Sequence, residues 1–349
     1  MSNATLCGGG EKNIEILYSH LSQKYNVFIF LENFKHYQNL RHRDVPQSNI
    51  IKLKGGRYIS LVYNLLKIII FYYKIKPENI LCNTNKGALY WTLINKFLPT
   101  KKNRIFVYIR DFSWICRSFI FNNLNAEYLV PNRSLLDFPQ YIPSSIRTKL
   151  NVVPNPIDIV DSKTKIEEKD FIFFPVSYNR WKGIDFAIRA LAKCNRANTN
   201  LVIVGPTVSL DYKKELIDLI HSHNLSQNVI LKDYCADLKK YYANCLFVIN
   251  TSISKYGGPE TFGRTIIEAW SYKKAVISFD CGGPKYLISH QVNGLLVPER
   301  NTQELTTALS ELIHNQDLRK KMGENGYLKC MQNFTPAKIS EELINNHFQ

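Results

Sequence analysis

"GGPETFGRTIIEAW", residues 257–270, sets one glutamate just before an apolar helix and a second two turns into it, with seven residues between Glu260 and Glu268. Paired carboxylates in a glycoside hydrolase stand about 5 to 9.5 Å apart across one bond. A fully helical path from 260 to 268 rises about 12 Å, and the two side chains leave its axis roughly 80° apart. The pattern therefore fits two contacts at opposite ends of one elongated ligand, the alternative being two solvated carboxylates at a helix start and on its outer face. Thr261, Phe262 and Gly263 fall where the helix begins, so their backbone N–H groups and the positive end of the dipole suit an anion, and Gly263 lets that backbone come close.

Outward from this stretch, short β-rich runs alternate with amphipathic helices. "FIFFPV", "LVIVG", "NVILKD", "LFVIN", "AVISF" and "GLLVP" read as strands, separated by helices near 184–194, 211–223, 237–243, 263–272 and 302–314. The first half gives helices over 11–24, 57–75 and 86–97, with strands "NVFIF", "NILCN" and "RIFVYI". Such alternation predicts doubly wound α/β domains with parallel sheets. Length supports two of them, and the prolines of "VVPNPID" mark the hinge, giving domains over 1–153 and 154–335. Only "MSNATLC" precedes "GGGEKNIEIL", where a Gly-rich loop of such a domain normally follows a buried strand. Either the N-terminal sheet lacks a central strand or the true start lies upstream of this Met, and the latter is the expectation.

Composition is that of a globular enzyme, 45% apolar and 21% charged, which excludes a disordered or fibrous chain. No run reaches the length of a membrane span, and the N-terminus lacks a basic-then-apolar signal. The eight cysteines form no close pair with metal or redox spacing, so they read as reduced thiols of a cytoplasmic protein. Residues 1–150 carry 21 Lys and Arg against 8 Asp and Glu, a net of +13, whereas 151–349 carry 24 against 21, a net of +3. A basic N-terminal half suits an anionic partner such as lipid headgroups or a phosphorylated glycolipid. Nucleic acid ranks lowest because no binding motif accompanies the charge. "RYISLVYNLLKIIIFYYKIKP", with Arg57, Lys67, Lys74 and Lys76 among apolar residues, suits a helix packed on a sheet, a helix on an anionic membrane face, or both on different faces.

"PETFGRTIIEA", "AVISFDCGGP" and "NGLLVP", in that order and spacing, resemble the retaining nucleotide-sugar glycosyltransferases of the family 4 type, whose GT-B fold has two Rossmann-like domains facing across a cleft. The resemblance covers nearly the whole chain and is strongest over 175–298. It implies that Glu260 stands beside the donor sugar, that Glu268 holds the ribose hydroxyls, and that Thr261, Phe262 and Gly263 meet the diphosphate. "SYNRWKG" matches the family's basic clamp, with Lys182 neutralising the leaving diphosphate and Arg180 sharing the task. Only Trp181 separates the two cations here, a shorter gap than the family's, so Arg180 is equally a surface arginine stacked on Trp181.

"CGGGEKNIE" resembles the family's first loop, where Gly8 and Gly9 approach the donor. "VYIRDFSWIC" resembles a segment with His followed by Asp near the sugar; Arg110 replaces the His and Asp111 remains, leaving a phosphate contact or a structural pair open. Tyr286 stands where many relatives have a glutamate, and Gly282 and Gly283 suit the tight turn after a strand; "FTPAKISEELINNHF" resembles the family's final helix, which implies that 336–349 crosses back onto the first domain, with Pro336 in its first turn. Glu260, Lys182 and Asp111 are thus the implied catalytic residues. The implied reaction transfers a sugar, with retention, from a nucleotide diphosphate sugar to a glycan or lipid-linked acceptor, as in lipopolysaccharide, O-antigen or capsule synthesis at the inner membrane face, with no metal or other cofactor. A nucleotide-sugar epimerase and a non-catalytic nucleotide-sugar-binding protein are the rival readings; an NAD-dependent oxidoreductase ranks lower because the three-glycine dinucleotide spacing is absent.

Overall fold

The computed structural model describes residues 9–56, 58–97, 103–110, 117–138, 140, 142–160, 167–194, 198–235 and 237–348. Two compact units result: residues 1–156 with 336–349, and residues 157–335.

The first unit runs α1 (Gly9–Leu21), β1 (Ile29–Leu31), α2 (Phe34–His42), β2 (Ile50–Lys52), α3 (Tyr58–Ile75), β3 (Asn79–Cys82), α4 (Asn85–Phe97), β4 (Arg104–Tyr108), α5 (Arg117–Asn123), β5 (Glu127–Val130), α6 (Ser144–Arg147) and β6 (Leu150–Val152). Four parallel strands pair in the order β3-β4-β5-β6, while β1 and β2 form a separate parallel pair. α3, α4 and α5 cover one face through Ile68, Tyr90, Trp91, Ile94 and Ile120. The other face, around Phe106, Tyr108 and Leu129, is covered by Leu17 and Leu21 of α1 and by Ile339, Leu343 and Ile344 of the last helix. The residues before α1, where the sequence leaves a first strand in question, lie outside the described ones. A cavity of about 450 Å3, lined by Leu17 and Leu21 of α1, Ile29 and Phe30 of β1, and Ile80 and Leu81 of β3, separates the two sheets.

The second unit follows with β7 (Phe171–Pro175), α7 (Ile184–Lys193), β8 (Asn200–Val204), α8 (Leu210–Ser222), β9 (Val229–Lys232), α9 (Lys239–Asn244), β10 (Val248–Asn250), α10 (Arg264–Ser271), β11 (Val276–Phe279), α11 (Gly283–Leu287), β12 (Leu295–Val297), α12 (Thr302–His314) and α13 (Gln316–Asn333). The final helix, α14 (Pro336–Asn346), belongs to the first unit. Six parallel strands pair in the order β12-β11-β10-β7-β8-β9, with Val248 of β10 opposite Phe173 of β7 and Val276 of β11. Their near-continuous apolar runs, buried on both faces, are what a parallel sheet covered by helices requires. α7, α8 and α12 bury one face and α9, α10 and α13 the other.

Helix ends in this unit follow from local chemistry. Ser209 accepts from Tyr212 N at the start of α8. Asn301 accepts from Glu304 N and donates back to its carboxylate, a reciprocal cap on α12. The chain leaves β7 toward β8 on one side of the sheet, whereas β10 and β11 lie on the other. That reversal of strand order opens a crevice at the carboxyl ends of β7 and β10, the place where ligands bind in open α/β sheets.

Candidate active site

Three loops at those strand ends meet by backbone contact. The turn Arg180–Lys182 after β7 ends at Gly183, whose φ of +62° lies in the left-handed region. A Cβ there would stand 2.1 Å from the Thr251 carbonyl oxygen, so only glycine allows the turn to lie on the end of β10. Thr251 Oγ1 donates to Gly183 O at 2.9 Å, and Ile253 N donates to Trp181 O at 2.8 Å, strapping the turn in place. Beyond β11, Gly283 N donates to Glu260 O at 2.6 Å, and a Cβ on Gly283 would stand 2.4 Å from the Phe262 backbone. Gly282 and Gly283 therefore seat the Glu260–Gly263 segment as well as turning the chain after a strand.

These contacts bring Lys182 and Glu260 together from 78 residues apart, with Nζ 2.5 Å from Oε2. Lys182 also lies 3.7 Å from the centroid of the Trp181 ring. Both partners of the pair are largely covered, so a diphosphate entering here would meet an ammonium already fixed in position. Gly263, at φ +92°, precedes α10, and the opening N–H groups of that helix lack partners within it. Phe262 is buried and packs edge-on against Phe334, so its side chain belongs to the core and only its backbone is available to a ligand. Residues 260–263 are not helical; the rise expected from a fully helical path between the two glutamates therefore does not apply.

Glu268 is held from two sides. Arg264 Nε donates to Oε1 at 3.0 Å, and Tyr242 Oη donates to Oε2 at 2.8 Å. Burial, reinforced by the Glu268 carboxylate, pushes the Tyr242 phenol well above its ordinary pKa, so it stays a donor. An ionised carboxylate has about four acceptor sites, and Arg264 and Tyr242 each engage one oxygen of this one. The helix itself is fixed by Ile266, Ile267 and Trp270 on its buried face, with Trp270 Nε1 donating to Asn293 O at 2.9 Å.

Arg180 departs from expectation. Its guanidinium pairs with Glu215 on α8 at 2.5 Å and lies over the rings of Tyr212 and Tyr256, at 4.9 and 5.8 Å; it is Lys182, not Arg180, that covers Trp181. Tyr286 stands half-exposed on α11. Tyr242, Arg264 and Thr251 went unread in the sequence: Tyr242 and Thr251 lie in segments without a motif of their own, and Arg264, inside the glutamate motif, acts only by bracing Glu268 one turn on.

In the first unit, Gly9 opens α1, while Gly8 and Asp111 lie outside the described residues. Arg110 is described: Nε donates to Asn83 Oδ1 at 2.7 Å, Nη1 donates to Asn155 Oδ1, and the guanidinium stacks 3.5 Å above the Tyr108 ring. Asn83 Nδ2 in turn donates to Gly10 O at 3.0 Å, and Asn13 Nδ2 to Asn155 Oδ1 at 2.6 Å. This network gathers the start of α1 and the carboxyl ends of β3, β4 and β6 around one cation. Among the described residues no group of three or more His, Cys, Asp or Glu side chains forms a metal-binding cluster.

Residues 157–329 match the family model described as glycosyl transferases group 1. An uncharacterized glycosyltransferase of Methanocaldococcus jannaschii is 29% identical over 53% of this chain and 52% of its own, so the chain spans about half the length of that relative. Over 97% of this chain and 95% of its own, a Campylobacter jejuni enzyme is 26% identical; it is named N-acetylgalactosamine-N,N'-diacetylbacillosaminyl-diphospho-undecaprenol 4-alpha-N-acetylgalactosaminyltransferase. HepE of Anabaena, solved in complex with UDP-glucose, superposes with a TM-score of 0.83 at 20% identity, covering 99% of this chain and 97% of its own. The architecture is therefore the α/β GT-B fold.

Proposed function

We propose that the protein transfers a sugar from a nucleoside diphosphate sugar to a glycan or lipid-linked glycan, with retention of anomeric configuration. The observation that carries this reading is the Lys182–Glu260 pair at 2.5 Å beside the Gly263-capped start of α10. Lys182 exchanges its carboxylate partner for the departing diphosphate and stabilises the charge that develops as the glycosidic bond breaks. The opening N–H groups of α10 assist from a second direction. Glu260, released from that pair, accepts from hydroxyls of the sugar. Glu268, braced by Arg264 and Tyr242, accepts from the ribose. The acceptor hydroxyl then attacks the face that the diphosphate leaves, so fixed charge replaces a side-chain nucleophile.

The first unit is assigned the acceptor, and Asp111 is retained as a candidate near the sugar. Relatives support the substrate classes: HepE was solved with UDP-glucose, the Campylobacter enzyme is named for a diphospho-undecaprenol acceptor, and an Escherichia coli relative is named an O-antigen chain mannosyltransferase. Those relatives support a role in surface-polysaccharide assembly. Incubating the protein with a panel of α-linked nucleoside diphosphate sugars and diphospho-undecaprenol saccharides tests it. An α-linked product, identified by its anomeric proton coupling, is expected; a β-linked product contradicts retention, and epimerised free donor without transfer contradicts the reaction.

A further inference from the structure

On α3 the solvent-facing side is apolar. Val62, Leu66, Ile70 and Tyr73 are 59%, 58%, 66% and 57% exposed, and Tyr63 is 40% exposed. At about 100° per residue these five share an arc of roughly 100°, with Lys67 and Lys74 along one margin. Another side, at Leu61, Leu65, Ile68, Ile69 and Tyr72, packs in the unit. A helix packed on a sheet needs one apolar face, and this one has two.

Neighbouring elements extend the patch. Lys54 Nζ lies 4.3 Å from the centroid of Tyr63, and Lys67 Nζ donates to Lys52 O at 2.7 Å. Lys52 Nζ in turn lies 3.6 Å from the centroid of Tyr37, which stacks on Phe34, itself 66% exposed. Residues 45–77 contain six Lys and Arg and no Asp or Glu. Aliphatic tips, aromatic rings and lysines thus form one surface.

We propose that this face of the first unit docks on an anionic lipid bilayer. The aliphatic side chains enter the boundary between headgroups and acyl chains, the tyrosines lie at headgroup level, and the lysines meet the anionic lipids. Charge complementarity selects this occupant. A second copy in a two-fold contact would set the same lysines against one another, whereas an anionic surface neutralises all of them at once. The helix lies on the bilayer rather than crossing it, since no described helix is long and apolar enough to span. The inference does not rest on the sugar-transfer reading.

Co-sedimentation of the full chain with vesicles of phosphatidylcholine alone, and of phosphatidylcholine mixed with phosphatidylglycerol, tests it. Binding to the mixed vesicles is expected to be about tenfold tighter and to weaken as salt is added. The triple variant Val62→Ser, Leu66→Ser, Ile70→Ser should lose about tenfold in affinity with its melting temperature unchanged, since the altered side chains face solvent. Lys54→Gln with Lys67→Gln and Lys74→Gln should remove the preference for anionic vesicles. Equal binding of the serine variant and the wild-type chain overturns the proposal. So does a wild-type dimer, dispersed by the serine variant, that fails to bind vesicles.

Discussion

In the second unit the site is closed by backbone lying on backbone, at Gly183 against Thr251 and at Gly283 against Phe262. In the first unit the comparable strand ends are joined by side chains, with Arg110 held by Asn83, Asn155 and the Tyr108 ring. The two constructions respond differently to change. Backbone contacts tolerate no added atom but do not titrate, and an amide–guanidinium network accepts repacking. The first unit also buries Glu11, Glu15 and His36, with His36 Nε2 3.6 Å from Glu15 Oε1, whereas the acidic groups of the second unit's site are paired with Lys182 and Arg264.

Acid should therefore separate the units most strongly. His36 is almost fully buried, neither ring nitrogen makes a hydrogen bond among the described residues, and desolvation lowers its pKa from 6.5 to about 4. Between those values the unfolded chain takes up a proton that the native imidazole refuses. Stability is then intact above pH 6.5 and falls as pH drops toward 4, by up to about 3 kcal/mol. Glu15, raised by its own burial, takes its proton earlier in the native state and offsets part of the loss. Hydrogen exchange at pH 7 and 4.5 should show α1 and α2 losing protection before α7 and α10, and His36→Leu should flatten the difference. Equal loss in both units would erase the contrast.

Next in size, Lys182→Ala should lower turnover by about 100-fold, roughly 2.7 kcal/mol in the barrier. Wild-type turnover would remove Lys182 from the site. Gly283→Ala forces a methyl to within 2.4 Å of the Phe262 backbone. A loss of about 2 kcal/mol in stability, with weakened donor binding, is expected by thermal melts; no change would show the loops to be less tightly joined than their contacts imply. The smallest effect belongs to Tyr242→Phe, which removes one brace on Glu268. Nucleoside diphosphate affinity should fall by a few-fold, about 1 kcal/mol, with turnover at saturation nearly unchanged.

The same contrast explains what could be read in advance. The second unit's strands and the glutamate-bearing helix were legible because apolar runs, glycines and charges stand in one continuous motif. α13 was not, because it packs through Gly323 against Lys273 and Gly326 against Trp270 and so lacks an apolar stripe of its own. β2 has three residues, and α2 buries His36 and Leu40 behind an Asn33 cap, too little pattern to announce either element. The Asn83–Arg110–Asn155 network draws on positions scattered over much of the first unit, where an isolated asparagine signals nothing. The partner of Arg180 was hidden for a related reason, since Glu215 lies on another helix.

The central claim is that Glu268 serves the nucleotide end of a donor and Glu260 the sugar end. Calorimetric titration of Glu268→Gln and Glu260→Gln with free nucleoside diphosphate and with intact nucleotide sugar tests it most directly. The substitution keeps size while removing charge and replacing one acceptor by a donor. Glu268→Gln should weaken both ligands by about tenfold, whereas Glu260→Gln, which frees Lys182 of its competing carboxylate, should not weaken free diphosphate binding and should weaken only the sugar donor. Equal losses of free diphosphate affinity in the two variants, or no loss in either, would contradict the account.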